Sequence, residues 1–187
     1  MNQLIKMCTP ERSQILRNML VSTCRYDLTV VEIGSYSGES AAAFLSSGAV
    51  KLLYCVDPWT TGYDPATQDS VAEAERVFDA RFSEEGRVVK VKGTVDDFIS
   101  RFPDVNADCV YIDACHDYKA AVRDMFAAYY AIRPRLFIGG HDYDPGHPGV
   151  QEAVKTVFGA PDITYRDNSW LVRCQHRSGN TGKHELN

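Results

Sequence analysis

The chain has 187 residues, of which 44% are hydrophobic and 11% aromatic, and its formal charge is −5. This length suits one domain with a substantial core, and this composition excludes an intrinsically disordered chain. The net negative charge, without a basic stripe, argues against a general binder of nucleic-acid backbones.

The cysteines and the N-terminus predict a cytoplasmic protein. No two of the six cysteines form a CxxC pair or a zinc-binding spacing, so we expect reduced thiols. The N-terminus lacks the apolar segment of a signal peptide, and no apolar run is long enough to cross a bilayer. We therefore expect no association with membranes.

The first quarter of the chain predicts a helix, a strand, a helix and a second strand. A helix over residues 10–23 is indicated by apolar residues at helical spacing, namely Ile15, Leu16, Met19 and Leu20. The apolar run "LTVVEIG" predicts a buried strand, and "ESAAAFLSS" predicts a helix that ends at Gly48. "VKLLYCVD" predicts the second buried strand.

The middle of the chain continues this alternation. Ser70 and Glu73 have the spacing of a capping box, which predicts a helix from there to Phe82. "RVVKVKG" predicts a third strand. Thr94 and Asp97 predict the cap of a short helix, and "ADCVYID" predicts a fourth strand.

The last third predicts two more helices, a strand and a hairpin. "DYKAAVRDMFAAYYAI" is amphipathic, with one apolar side formed by Val122, Met125, Phe126, Tyr129 and Ile132. "RLFIGG" predicts a fifth strand and "GVQEAVKTVFG" a helix. "DITYR" and "SWLVRC" flank Asp167 and Asn168, a pair that suits the turn of a hairpin.

Strands that alternate with helices predict an α/β fold, here a doubly wound, mostly parallel sheet with an antiparallel hairpin at its edge. We expect one domain over residues 1–174, with an N-terminal helical segment at 1–27 and a flexible polar tail at 175–187. Ligands of such sheets bind beyond the carboxyl ends of the strands, where the strand order reverses.

The glycine-containing stretch "VVEIGSYSGES" excludes two kinds of nucleotide site. A dinucleotide site needs a second glycine where this chain has Tyr36, because the backbone must approach a pyrophosphate there. A P-loop is excluded because no Gly-Lys-Ser or Gly-Lys-Thr follows. Gly34 and Gly38 instead suit a tight turn before a helix N-terminus, which favours a smaller anion such as a carboxylate.

Asp57 ends the second predicted strand, 23 residues after Gly34. An acid at this position accepts hydrogen bonds from ribose hydroxyls. We therefore expect a ligand with a ribose and a carboxylate but no pyrophosphate, and S-adenosylmethionine fits that description. The alternative is a plain strand-to-helix turn beside an exposed aspartate.

A second group of polar residues follows the fourth and fifth strands. Asp113 and His116 follow one strand, and His141 and Asp142 follow the other. Neighbouring strands lie about 4.8 Å apart, so we expect these side chains to meet and to form a metal site or a general-base site. The alternatives are that Asp113 orders a loop, that His141 caps a turn, and that His147 is an ordinary loop residue.

Four motifs in this order, "VVEIGSYSGES", "YCVDPW", "VYIDACHDY" and "IGGHDY", resemble the class I S-adenosylmethionine-dependent methyltransferases over roughly residues 28–172. Within that class the chain resembles the branch of macrocin-type sugar O-methyltransferases and cephalosporin-hydroxylase-like proteins. The resemblance implies a Rossmann-like sheet of seven strands in the order 3-2-1-4-5-7-6.

The resemblance also implies roles for individual residues. The cofactor residues that it implies are Glu32, Gly34, Ser35 and Gly38 at the methionine end, Asp57 on the ribose, Gly93 and Thr94 beside the adenine, and Asp113. Trp59 either walls the adenine pocket or packs in the core. Sugar O-methyltransferases of this branch hold Mg²⁺, which implies Mg²⁺ or Mn²⁺ on Asp113, His141 and Asp142, although His141 stands where the family has an acid.

The function we expect is methyl transfer to a hydroxyl of a small or sugar-like acceptor, with His116 as general base and with Asp113 and His141 as further catalytic residues. One alternative is a cofactor-binding protein without catalysis, acting as a sensor or a partner subunit. In either case the edge hairpin or the N-terminal helix could pair two copies as a homodimer. A second alternative is a metal-dependent oxygenase, since His116, His141 and an aspartate could form a facial triad.

Overall fold

A computed structural model describes residues 8–63 and 70–174. The helices are α1 Pro10–Val21, α2 Glu39–Leu45, α3 Val71–Phe82, α4 Val95–Arg101, α5 Tyr118–Phe126 with a π-helical continuation Ala127–Ile132, and α6 Pro148–Phe158. The strands are β1 Leu28–Ile33, β2 Val50–Asp57, β3 Val88–Lys92, β4 Cys109–Ile112, β5 Phe137–Gly140, β6 Ile163–Thr164 and β7 Trp170–Arg173. The predicted tail and part of the loop after Trp59 lie outside the described residues.

The seven strands form one sheet in the order β3-β2-β1-β4-β5-β7-β6, as predicted. Strands β1 to β5 pair in parallel, whereas β7 is antiparallel to both β5 and β6. Because β1 lies between β2 and β4, the strand order reverses there. The carboxyl ends of β1, β2 and β4 therefore open a crevice beside the loop after β1.

The core has two layers, one on each face of the sheet. Alternate residues of β1 point to opposite faces, so Val30 packs with α1 and α2, whereas Val31 packs with α4 and α5. Both layers are almost fully buried, as a parallel sheet covered by helices requires. Among the described residues, no helix combines the length and apolarity needed to cross a membrane.

Two predictions about helix ends were confirmed or corrected by the structure. Thr94 and Asp97 form the predicted capping box at the start of α4. The capping box at Ser70 was wrong: the Ser70 side chain makes no cap bond, and its hydroxyl lies 2.5 Å from the Tyr36 hydroxyl. Ser70 has a helical ψ of −2°, whereas a side-chain cap requires extended backbone.

The predicted long amphipathic helix after β4 changes type halfway. It is α-helical to Phe126 and π-helical from Ala127 to Ile132. A π-turn holds more residues than an α-turn and shifts the buried side. Met125 and Ile132 are buried as predicted, but Phe126 is 41% exposed and stacks on Tyr130.

Candidate active site

A cavity of about 350 Å³ opens at the carboxyl ends of the parallel strands. Its wall includes the loop after β1, the end of β2, the loop after β3 and the segments after β4 and β5. Its volume falls within the range of small-molecule sites. Most of the predicted site residues therefore meet in one place, as the rule for doubly wound sheets requires.

Gly34 makes the turn after β1. Its φ is +91°, and a Cβ there would lie 2.1 Å from the carbonyl oxygen of Asp113. Only glycine allows β1 and the segment after β4 to approach this closely. Gly38 has φ +78° and packs against Phe78 and Phe82, so it shapes the start of α2 behind the cavity wall.

Glu32 lies beneath this loop and is fully buried. Its Oε2 accepts a hydrogen bond of 2.7 Å from Ser35, which does line the cavity. Among the described residues, its Oε1 has no hydrogen-bond partner. Burial raises the pKa of Glu32 to about 7. Glu32 therefore orients Ser35, which lines the cavity. Because its pKa is about 7, its charge changes near neutral pH.

Asp57 lies at the end of β2 and lines the cavity. Its carboxylate accepts backbone hydrogen bonds from Tyr36 at 2.9 Å and from Trp59 at 2.7 Å. Burial raises its pKa, although these bonds act in the opposite direction. Asp57 thus orients the loops after β1 and β2 and presents an acceptor to the cavity.

Trp59 packs in the core, which is one of the two roles predicted for it. Its ring contacts Phe78 at a centroid distance of 4.9 Å, and Lys90 lies over it at 4.8 Å. Its indole nitrogen donates to the Tyr36 carbonyl at 2.8 Å. Gly93 and Thr94 reach the cavity as predicted, and the Gly93 amide donates to the Asp57 carbonyl at 3.0 Å.

Asp113 follows β4 and forms an ion pair with Arg12 of α1. The side chains of Arg12 and Asp113 are 11% and 18% exposed, and both line the cavity. Burial alone would lower the pKa of Arg12, but Asp113 and the neighbouring Tyr111 raise it further than burial lowers it. The guanidinium therefore stays charged.

Three histidines surround Asp142. His116 Nε2 lies 2.8 Å from Oδ2, His141 Nδ1 lies 2.9 Å from Oδ1, and His147 Nδ1 lies 3.6 Å from Oδ1. Burial opposes ionisation of Asp142, but the bonds from His116 and His141 lower its pKa well below the usual range. Burial would lower the pKa of His141, yet Asp142 and Asp113 raise it. The group is a carboxylate in contact with three imidazoles, and it raises the pKa of His141.

The donor groups around the cavity fit S-adenosylmethionine. At one end lie Arg12 and the serines of the loop after β1, which suit an amino-acid group. Asp57 offers a carboxylate to ribose hydroxyls, and Val56 and Val95 offer apolar surface to a base.

The donors of the predicted metal site meet but do not fit Mg²⁺ or Mn²⁺. Ligand atoms of Asp113, His141 and Asp142 all lie within 4.8 Å of one another, and the same holds for His116, Asp142 and His147. However, Arg12 already neutralises Asp113, and both oxygens of Asp142 contact histidines. Hard cations favour several free oxygen ligands, so we assign no step to a metal.

Sequence reasoning missed Arg12. It lies at helical spacing with the buried Leu16, Met19 and Leu20, so it belongs to the inward side of α1. An arginine on the apolar side of a helix was the available signal, because buried charges are normally paired. Nothing in the local sequence pointed to its partner.

Comparisons with known proteins agree with this geometry. A family model described as a methyltransferase domain matches residues 31–143, from β1 to the segment after β5. No curated protein matches the chain.

Solved structures share the fold at low identity. The chain is similar to S-adenosylhomocysteine-bound methyltransferase PaMTH1 of Podospora anserina, with 13% identity, a TM-score of 0.64, and coverage of 90% of this chain and 80% of that one. It is similar to a candidate caffeoyl-CoA O-methyltransferase from Staphylococcus aureus, with 13% identity, a TM-score of 0.64, and coverage of 90% and 84%.

A third similar structure is spermidine synthase from Thermotoga maritima, with 13% identity, a TM-score of 0.56 and coverage of 87% of this chain. The chain spans only 59% of the length of that synthase. The fold is thus shared by proteins with different reactions. Because the family model covers more than half of its length, the chain belongs to the methyltransferase-domain family, within the class I S-adenosylmethionine-dependent methyltransferases.

Proposed function

We propose that this domain transfers the methyl group of S-adenosylmethionine to a hydroxyl of a small, sugar-like acceptor. The observation that carries the proposal is the His116–Asp142 pair, which faces the same cavity as Asp57 and the Gly34 turn. A cofactor site alone needs no such pair. A hydroxyl acceptor does, because its proton must leave as the new bond forms.

The residues of the chain divide the work between binding and proton removal. In this proposal Asp57 holds the ribose and Ser35 the methionine end, while the Gly34 turn lets β1 approach the segment after β4. The bound cofactor supplies a methyl group activated by the sulfonium, so the protein has to align the acceptor oxygen and take its proton. With Nε2–H donated to Asp142, the basic nitrogen of His116 is Nδ1.

Tyr63 forms part of the cavity wall, and in this proposal it limits the space for the acceptor. It lines the cavity from the segment after β2, and its hydroxyl accepts a hydrogen bond of 2.6 Å from Arg123 of α5. This contact joins the segment after β2 to α5. A cavity of this size, bounded by Tyr63 and His147, suits a small acceptor rather than a polymer.

The competing function is cofactor binding without catalysis. Methyl transfer predicts release of S-adenosylhomocysteine that depends on an added acceptor, measured over a panel of sugars, phenols and hydroxy acids. Arg17→Ala is the control, because Arg17 also lies on α1 but bonds Gln14 and does not line the cavity. Tight cofactor binding with no product release on any hydroxyl would contradict the proposed function and support the binding protein.

A further inference from the structure

Arg12 brings a permanent positive charge from α1 into the wall of the cavity. Its guanidinium donates to Asp113 Oδ2, and neither side chain is more than 18% exposed. The hydroxyl of Tyr111, itself buried, lies beside the same guanidinium. A planar guanidinium matches carboxylate geometry and does not lose its proton in proteins.

The guanidinium of Arg12 lies beside a group of side chains that could otherwise bind a metal ion. Ligand atoms of Asp113, His141 and Asp142 lie within 4.8 Å of one another, and two of the three groups are carboxylates. Two carboxylates this close together in a mostly buried site need positive charge or hydrogen-bond donors beside them. In this chain Arg12 balances Asp113, and His116 and His141 contact Asp142.

A divalent ion would have to displace this arrangement. Mg²⁺ binds through one or two free carboxylates and keeps several waters. To reach Asp113 it would push aside the guanidinium, which would lose its partner inside a mostly buried pocket. Burying a charge without a partner is strongly unfavourable.

We infer that Arg12 takes the place of a divalent cation at Asp113, so that α1 forms part of the active site and methyl transfer needs no bound Mg²⁺ or Mn²⁺. The role of Arg12 in transfer rests on the proposed function. Its role in metal exclusion does not, since metal binding can be measured without an acceptor.

Titration of the purified full chain with Mn²⁺, followed by electron paramagnetic resonance of the free ion, tests the exclusion. We expect no saturable site in the wild type. Arg12→Ala frees Asp113 as an oxygen ligand, so this variant should bind one Mn²⁺ per chain saturably where the wild type binds none. Asp113→Asn in the Arg12→Ala background should abolish the gained site, and Arg17→Ala, on the same helix, should behave as wild type.

Three outcomes overturn the inference. They are a stoichiometric Mn²⁺ site in the wild type that Asp113→Asn removes, no gained site in Arg12→Ala, and loss of S-adenosylhomocysteine release after chelation of the wild type. If Arg12→Ala does not fold, Arg12→Gln is the second variant: its side chain is shorter and uncharged, so it cannot neutralise Asp113, and it should gain the same site. A gained Mn²⁺ site without any methyl transfer would uphold the exclusion and contradict only the proposed function.

Discussion

His116 donates from Nε2 to Asp142 Oδ2 across 2.8 Å, although the two residues follow different strands. The contact sets which nitrogen of His116 is basic. His116→Ala should lower saturated turnover by about 10²–10⁴-fold, the usual contribution of a general base, with little change in cofactor affinity. Calorimetry with S-adenosylhomocysteine and turnover at saturation separate the two quantities.

His116→Gln is the matched variant for this prediction, because its amide can still donate to Asp142 but cannot act as a base. Equal losses in the glutamine and alanine variants support proton removal. Recovery of turnover in the glutamine variant would instead assign His116 to positioning Asp142.

Asp142 should control the pH dependence of turnover. It raises the pKa of His141, which contacts the same carboxylate as His116, so His141 should lose its proton above the ordinary histidine value of about 6.5. Turnover should therefore rise with pH through a midpoint above that value. In Asp142→Asn the midpoint should move to lower pH, because the imidazolium loses its counter-charge. An unmoved midpoint would exclude this cluster from the ionisation.

Asp57 should govern cofactor affinity. Asp57→Ala removes charge-assisted hydrogen bonds worth about 1.5–3 kcal/mol each, so the affinity for S-adenosylhomocysteine should fall at least about tenfold. The melting temperature should also fall, because the backbone amides of Tyr36 and Trp59 lose their carboxylate acceptor. Asp79→Ala, an exposed aspartate of α3 that pairs with Lys90, is the control. Unchanged affinity in calorimetry would refute the ribose assignment.

Two glycines with positive φ provide a matched pair. At Gly34 (φ +91°) a Cβ would meet the Asp113 carbonyl oxygen at 2.1 Å, whereas at Gly48 (φ +73°) it would meet nothing within 4 Å. Gly48→Ala should cost about 1–2 kcal/mol from backbone strain alone. Gly34→Ala should cost more and should also abolish cofactor binding. Similar melting temperatures for the two variants would contradict the close approach.

Glu32 should make stability fall as pH rises. Its pKa is raised to about 7, so the folded state holds a proton that the unfolded state releases near pH 4.5. The free energy of unfolding therefore falls as pH rises from 4.5 to about 7, and above pH 7 it is lower by about 3 kcal/mol. Glu32→Gln should unfold at a higher denaturant concentration than wild type at pH 8, but not at pH 4. Glu152→Gln, exposed on α6, should show no such difference.

The parts of the fold that depend on local pattern could be predicted from sequence. β2 begins and ends at the predicted residues, because a continuous apolar run between turn residues has few alternatives. The site side chains at strand ends, Asp57 and Asp113 among them, followed from the rule about carboxyl ends of parallel strands. That rule needs only strand positions, which the apolar runs supply.

The remaining features depend on contacts between distant segments. Ser70 matches a capping motif, but its hydroxyl meets Tyr36 instead. The π-helical turn after Phe126 leaves no mark in the hydrophobic period. The pairing of Arg12 with Asp113 could not be predicted, because the strand order of the sheet brings the two residues together. Their spacing along the chain does not.

The Arg12–Asp113 pair also bears on how the protein acquires its activity during synthesis. The two residues are 101 positions apart, and Asp113 follows β4, which pairs with β1 at the middle of the sheet. Closing a loop of this length costs more conformational entropy than forming the local β1–α2–β2 contacts. We therefore expect the Arg12–Asp113 contact to form after those local contacts. A nascent chain in which β4 has not yet paired with β1 therefore lacks one wall of the pocket. We expect cofactor binding and activity only after β4 has entered the sheet.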